Sequence, residues 1–201
     1  SVLVMRKMIN TKFWHGKRVF VTGHSGFKGT WLTHWLDSLG ARVIGYSKDV
    51  TNQQQMLADS TNHILESSSY GDICDFDNLL NCINGAEPDI LFHLAAQPLV
   101  KESFVSASRT FETNVMGTIN LLECVKRVPS LRSAVIITSD KCYQNLDTGF
   151  PFNEEDPLGG DDPYSASKAC AEIATQSYIK SFFSCVENTN SLTSIATARA
   201  G

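Results

Sequence analysis

Along the 201 residues, short continuous apolar runs alternate with stretches in which apolar residues recur every three or four positions. Val19-Phe20-Val21 is such a run, the pattern of a strand buried on both faces. The spacing then predicts a helix over 30–39, closed by Gly40, and a second strand over 42–46. Residues 48–63 are polar, carry Gln53-Gln54-Gln55, and read as a loop with a loose helical turn. A third strand is expected over 64–70. Gly71-Asp72-Ile73-Cys74-Asp75 turns into a helix over 76–83, with Asp75 as its N-cap. A fourth strand spans 89–94. The long helix over 107–128 marks its apolar face with Phe111, Val115, Ile119 and Leu122. A fifth strand covers 133–138. An acidic, Gly- and Pro-containing loop follows over 144–163, and connections of that length are usually functional. A last helix is expected over 165–183, a polar loop over 187–192 and a sixth strand from 194 to 199. Residues before Lys17 read as a leader, with Phe13 and Trp14 covering an end of the sheet. Strand and helix alternate throughout without repeat or internal boundary. This predicts an α/β fold with a doubly wound parallel sheet, and one domain over 1–201.

The turn after the first strand sharpens that picture. Thr22-Gly23-His24-Ser25-Gly26-Phe27-Lys28-Gly29 spaces its glycines as G-x-x-G-x-x-G between a strand and a helix. Gly23 lets the chain leave the strand sharply, Gly26 lets backbone N–H groups approach a pyrophosphate, and Gly29 lets the helix sit close to the sheet. A helix N-terminus facing the phosphates completes a dinucleotide-binding turn of Rossmann type. Lys28 opposes the helix dipole there, which suits either a bound phosphate nearby or a solvated surface lysine. His24 adds further polarity to the turn.

Composition narrows the partners. A net charge of −4 without a basic run argues against nucleic acid and against an anionic membrane surface. Val2-Leu3-Val4 is far too short for a signal core or a membrane span. The six cysteines (Cys74, Cys82, Cys124, Cys142, Cys170 and Cys185) are scattered, with no C-x-x-C. They read as free thiols in a reducing cytoplasm, with neither a metal site nor a disulfide framework.

Three stretches carry candidate chemistry. In Tyr164-Ser165-Ala166-Ser167-Lys168, the first and last residues share a helix face. An ammonium beside the phenol favours the phenolate, so Tyr164 can act as a base toward a hydroxyl, and Lys168 has hydrogen bonds left to donate. Thr138-Ser139-Asp140-Lys141-Cys142-Tyr143 lies at the C-terminal end of the fifth strand, the edge where open parallel sheets bind ligands. Asp89 to Pro98 runs a strand into small residues beside the cofactor, and its His93 reads as a packed strand histidine. The end of the second strand reads Tyr46-Ser47-Lys48-Asp49, with serine where an NAD enzyme usually has an acid. On these residues NAD and NADP both remain open.

Together, the glycine turn, Ala95-Ala96-Gln97-Pro98-Leu99-Val100, Thr138 to Tyr143 and Asp162-Pro163-Tyr164-Ser165 resemble the extended short-chain dehydrogenase/reductase superfamily. The resemblance runs from about Phe13 to the last residue and is to the nucleotide-sugar 4,6-dehydratase branch, in particular its members acting on CDP-glucose. It implies NAD as cofactor, a nucleoside-diphosphate sugar as substrate, and a homodimer formed through the two long helices. The implied catalytic residues are Tyr164, Lys168, Ser139, Asp140, Lys141 and Asn114. Tyr164 would take the C4 hydroxyl proton, Ser139 would hydrogen-bond the C4 oxygen, and Asp140 would protonate the departing C6 hydroxyl. Lys141 stands where relatives carry a glutamate base and would act either as that base or as a cation beside an enolate. Asn114 matches a position used in a proton relay. The implied cofactor-binding residues are Gly23, Ser25, Gly26, Phe27, Gly29, Ser47, Asp72, Ile73, Leu94, Ala95 and Ala96, with Tyr164 and Lys168. A substrate domain follows the sixth strand in the family. It is expected to be missing from this chain, which would then hold cofactor but turn over poorly or not at all alone. A nucleotide-sugar 4-epimerase and a non-catalytic NAD-binding module are the alternatives.

Overall fold

In the computed structural model, which describes residues 10–49, 55–145, 149, 151–184 and 193–201, strand and helix alternate as the apolar pattern requires. The chain enters through one helical turn, α1 (Thr11–Trp14), then forms β1 (Arg18–Thr22), α2 (Phe27–Ser38) and β2 (Arg42–Ser47). Next come α3 (Gln55–Thr61), β3 (Leu65–Tyr70), α4 (Phe76–Ala86) and β4 (Ile90–His93). Two short helices follow, α5 (Val100–Val105) and α6 (Ala107–Phe111). A π-helical turn (Glu112–Met116) carries α6 straight into α7 (Gly117–Val125). The last elements are β5 (Ser133–Ser139), a 3-10 turn (Asp140–Cys142), α8 (Pro163–Tyr178) with a π-helical end (Ile179–Phe183), and β6 (Ser194–Ala200).

All strand pairs are parallel, in the order β3-β2-β1-β4-β5-β6. The order reverses between β1 and β4, which opens a crevice at the carboxyl ends of those two strands. Alternation along β1 divides the core. Val19 and Val21 face Leu36 of α2 together with Val43 and Ile90. Phe20 faces the other way, into Leu79 and Ile83 of α4 and Leu121, Leu122 and Val125 of α7. β3 is the polar edge strand, where Glu66 pairs with Arg18 at 3.2 Å and Arg42 at 2.6 Å.

Four differences from the sequence expectations have local causes. Helix α2 begins at Phe27, three residues earlier than expected, because Gly26 holds an extended N-cap conformation. The polar stretch after β2 contains α3, whose Ala58 and Thr61 are buried and whose Ser60 Oγ lies 3.3 Å from His34 Nε2. Residues 100–105, left unassigned by the pattern, form α5. Beyond Val125 the long helix ends in a turn, and the π turn inside it holds Asn114. The segment before Lys17 docks through Trp14, which packs on the Val19 side of the sheet and stacks on Phe92 at 6.4 Å. Phe13 stays half-exposed, edge-on to Trp14. The expectations on Val2-Leu3-Val4, Gln53, Gln54, Cys185, the loop over 187–192 and positions 146–148 and 150 lie outside the described residues.

Candidate active site

The carboxyl ends of β1, β2, β4 and β5 open onto one cavity of about 620 Å³. Its floor is the β1–α2 turn, with Gly23, Ser25, Gly26, Phe27, Lys28 and Gly29 all lining it. Glycine is required twice over at Gly23, whose φ is +72° and whose Cβ would lie 2.7 Å from the Ala95 nitrogen. At Gly29 a Cβ would run into the Gly23 carbonyl, so α2 approaches the turn only without a side chain there. The N-terminus of α2 thus points its free N–H groups into the cavity, as a pyrophosphate requires. His24 turns the other way. It is buried against Gly45, with Nδ1 unpaired, and burial pushes its pKa down.

Ser47, Lys48, Gly71 and Ile73 line the end of the cavity beneath β2 and β3. Asp72 stands between the last two. Its carboxylate pairs with Lys48 at 2.9 Å and Arg109 at 3.3 Å, both themselves cavity residues. Burial alone would push the Asp72 carboxyl up; the Cys74 amide and Lys48 overcome this and hold it below its usual range. Leu94, Ala95 and Ala96 form the opposite wall, where β4 ends.

At the β5 and α8 end, Thr138, Tyr164 and Lys168 line the same cavity. Tyr164 sits in the first turn of α8 because Asp162 caps it, accepting from Ser165 N at 3.0 Å and from Ser165 Oγ at 2.6 Å. Tyr164 and Lys168 are 9% and 7% exposed, so each shows the cavity little more than its tip. Burial, reinforced by the charge of Lys28 and opposed by Cys142 and Glu172, brings the Lys168 ammonium down to about 8. His93 is fully enclosed, with Nδ1 2.7 Å from Thr22 Oγ1 and Nε2 3.2 Å from Thr118 Oγ1. Burial, then the Lys168 charge, pushes it down to about 3. It is a packed strand histidine, as the sequence suggests.

The remaining candidates stand outside the cavity lining. Ser139 Oγ donates to Asp140 Oδ1 at 3.0 Å and accepts from Lys141 N at 3.3 Å, and the Asp140 and Lys141 side chains are exposed. All three follow Thr138 directly, in the 3-10 turn and at its start. Asn114 braces rather than lines the site. Its amide accepts from Gln97 N at 2.7 Å, and donates to Gln97 O at 3.1 Å and Ser167 Oγ at 2.8 Å. This fastens the loop after β4 to the turn of α8 that separates Tyr164 from Lys168. Sequence reasoning passed over Glu172 and Arg199, a buried carboxylate and a partly exposed guanidinium 3.0 Å apart behind Thr138. The only signal in the chain is the four-residue step from Lys168 to Glu172. Among the described residues no helix is long and apolar enough to cross a membrane, and no three His, Cys, Asp or Glu side chains gather at a metal-binding spacing.

Comparison with known proteins agrees with this geometry. The model of the GDP-mannose 4,6 dehydratase family matches residues 20–195. The CDP-glucose 4,6-dehydratase of Salmonella typhimurium is 46% identical over 194 residues, covering 96% of this chain and 54% of its own. A UDP-glucose 4-epimerase of Mycolicibacterium smegmatis is 30% identical over 80% of this chain and 51% of its own. The solved structure of DesIV, a dTDP-glucose 4,6-dehydratase of Streptomyces venezuelae with NAD bound, is 27% identical with a TM-score of 0.74, over 90% of this chain and 55% of that one. The chain spans about half the length of the curated relatives it matches.

Proposed function

The chain belongs to the GDP-mannose 4,6-dehydratase family, and from that premise we propose that its 201 residues form the dinucleotide-binding domain of a nucleotide-sugar 4,6-dehydratase acting on CDP-glucose. The observation that carries the reading is the single cavity shared by the glycine turn, Thr138, Tyr164 and Lys168. The cofactor is NAD, in keeping with the NAD-bound dehydratase of the same fold. The turn fits a pyrophosphate, since Gly23, Ser25, Gly26, Phe27, Lys28 and Gly29 line the cavity at the N-terminus of α2. Ser47 and Lys48 meet the adenosine ribose, with Lys48 held by Asp72. When bound, NAD supplies reversible hydride acceptance, from C4 of the sugar and back to C6.

The chain's own groups handle the protons. Tyr164 takes the C4 hydroxyl proton, and the Lys168 ammonium beside it stabilises the resulting phenolate. Ser139 hydrogen-bonds the C4 oxygen. Once C4 is a ketone, the C5 proton is acidic and water leaves across C5 and C6. Asp140 protonates the departing C6 hydroxyl, and Lys141 either removes the C5 proton or steadies the enolate as a cation. These roles for Ser139, Asp140 and Lys141 rest on their match to the family's catalytic row. Asn114 keeps the Gln97 loop and α8 in register through the bonds described above. Leu94, Ala95 and Ala96 supply the apolar wall of the cavity opposite the glycine turn.

The protein is proposed to be cytoplasmic and to dimerise through its two long helices, whose Met116, Ile173 and Phe182 remain exposed. A 4-epimerase would use the same Tyr164 and Lys168, and the 30% identity to an epimerase favours it as the second reading. Stoichiometric protein, NAD and each of CDP-, dTDP-, UDP- and GDP-linked hexose separate the two. CDP-glucose is expected to give a 4-keto-6-deoxy sugar, seen by its absorbance in base and by NMR. Tyr164→Phe should slow it by about 10²- to 10⁴-fold. A galacto-configured product that keeps its C6 hydroxyl would overturn the proposal.

A further inference from the structure

Tyr164, Lys168 and Glu172 follow one another at four-residue steps on α8, which sets them along one helix face. The first two line the cavity, and Glu172 lies behind them with no exposure at all. A carboxylate so enclosed needs partners for both oxygens. Oε2 accepts from Arg199 Nη2 at 3.0 Å and from Thr197 Oγ1 at 3.1 Å. Oε1 accepts a short hydrogen bond from Thr138 Oγ1. Arg199 lies with its guanidinium carbon 4.8 Å from the centre of the Tyr143 ring, and its Nη1 donates to the Glu154 carbonyl at 3.1 Å. One carboxylate therefore joins β6, the end of β5 and the acidic loop to the helix that carries the candidate base.

The division of its oxygens separates Glu172 from an ion pair that merely fills a core. One oxygen is held by β6. The other is spent on Thr138, a cavity residue that leads directly into Ser139, Asp140 and Lys141. We propose that Glu172 is a positioning residue for the reaction, fixing Thr138 in the cavity wall and standing as the counter-charge behind Lys168, with Arg199 holding it in place. This rests on the reading of Tyr164 and Lys168 as the reacting pair.

The groups that face Lys168 come from four directions. They are Tyr164 and Glu172 on its own helix, Lys28 from the β1–α2 turn, His93 from β4 and Cys142 from the 3-10 turn. Burial keeps His93 uncharged, at about 3, and the Cys142 thiol protonated, at about 11, which leaves Glu172 as the carboxylate four residues along the same helix.

The test is a titration of Lys168 by NMR on the 201-residue chain with labelled lysine side chains, assigned with Lys168→Arg. It compares Glu172→Gln, Glu172→Asp and the double variant Glu172→Met/Arg199→Met, which leaves no buried cation unpaired. The Lys168 midpoint should fall by about half a unit or more in Glu172→Gln and in the double variant, and recover in Glu172→Asp. A purely structural pair would leave the midpoint unmoved in the folded double variant, and that result overturns the proposal. No turnover is needed. Loss of dehydration chemistry with the Lys168 coupling intact would instead sink the reading of the active site.

Discussion

A protonated lysine enclosed by protein destabilises the fold, and Lys168 bears that cost where the proposed mechanism puts a phenolate. His93 shows the complementary case. It is buried uncharged between two threonine hydroxyls, and its pKa is depressed from 6.5 to about 3. As pH falls below 6.5 the unfolded chain takes up this proton while the folded chain does not, so stability falls toward acid through that window. The loss is about 1.4 kcal/mol per pH unit for this one group. Urea denaturation between pH 6.5 and about 5 should therefore show a steeper decline for the wild type than for His93→Gln. Equal slopes would contradict the depressed value. At this scale the sequence was legible where a residue's place in the fold follows from its neighbours in the chain, as for Gly23, His93 and the position of Tyr164 on the cavity. It was silent on Glu172, because the arginine and threonine that give it a role lie on other strands, 27 and 34 residues away.

Helix α8 is the element that brings the candidate base to the cofactor side of the sheet. Its start is fixed by Asp162, which satisfies the Ser165 amide and hydroxyl, with Pro163 at the first helical position. Asp162→Ala should cost about 1–2 kcal/mol and Asp162→Asn far less, read from unfolding midpoints. Equal midpoints would mean that the start of α8 is set elsewhere. Every strand but the polar β3 was readable because it carries an apolar run or alternation. Of the short helices, α3 was readable only as a loose turn and α5 not at all, since a turn or two of helix buries too few side chains for a period to register. The π turn around Asn114 is also invisible in a pattern of apolar residues: Val115 within it and Ile119 in α7 keep ordinary helical spacing. What distinguishes it is the bonding of Asn114 to Gln97 and Ser167.

At the scale of the molecule, function follows from topology. The reversal of strand order between β1 and β4 places the glycine turn and the small residues after β4 on facing walls, and β5 and α8 close the far end. Alternating strands and helices were enough to foresee that arrangement, and the motifs fell at the strand ends where such folds bind ligands. The exposure of Asp140 and Lys141 beside the cavity was not foreseeable, because a run of residue types at a strand end carries no signal of burial. In the proposed reaction hydride leaves C4 and returns to C6 of one sugar under the control of Tyr164. CDP-glucose deuterated at C4, incubated with NAD and stoichiometric protein and followed by NMR, tests it most directly. Deuterium in the C6 methyl group of a 4-keto product is the predicted outcome. Deuterium retained at C4 of an epimerised sugar would contradict it.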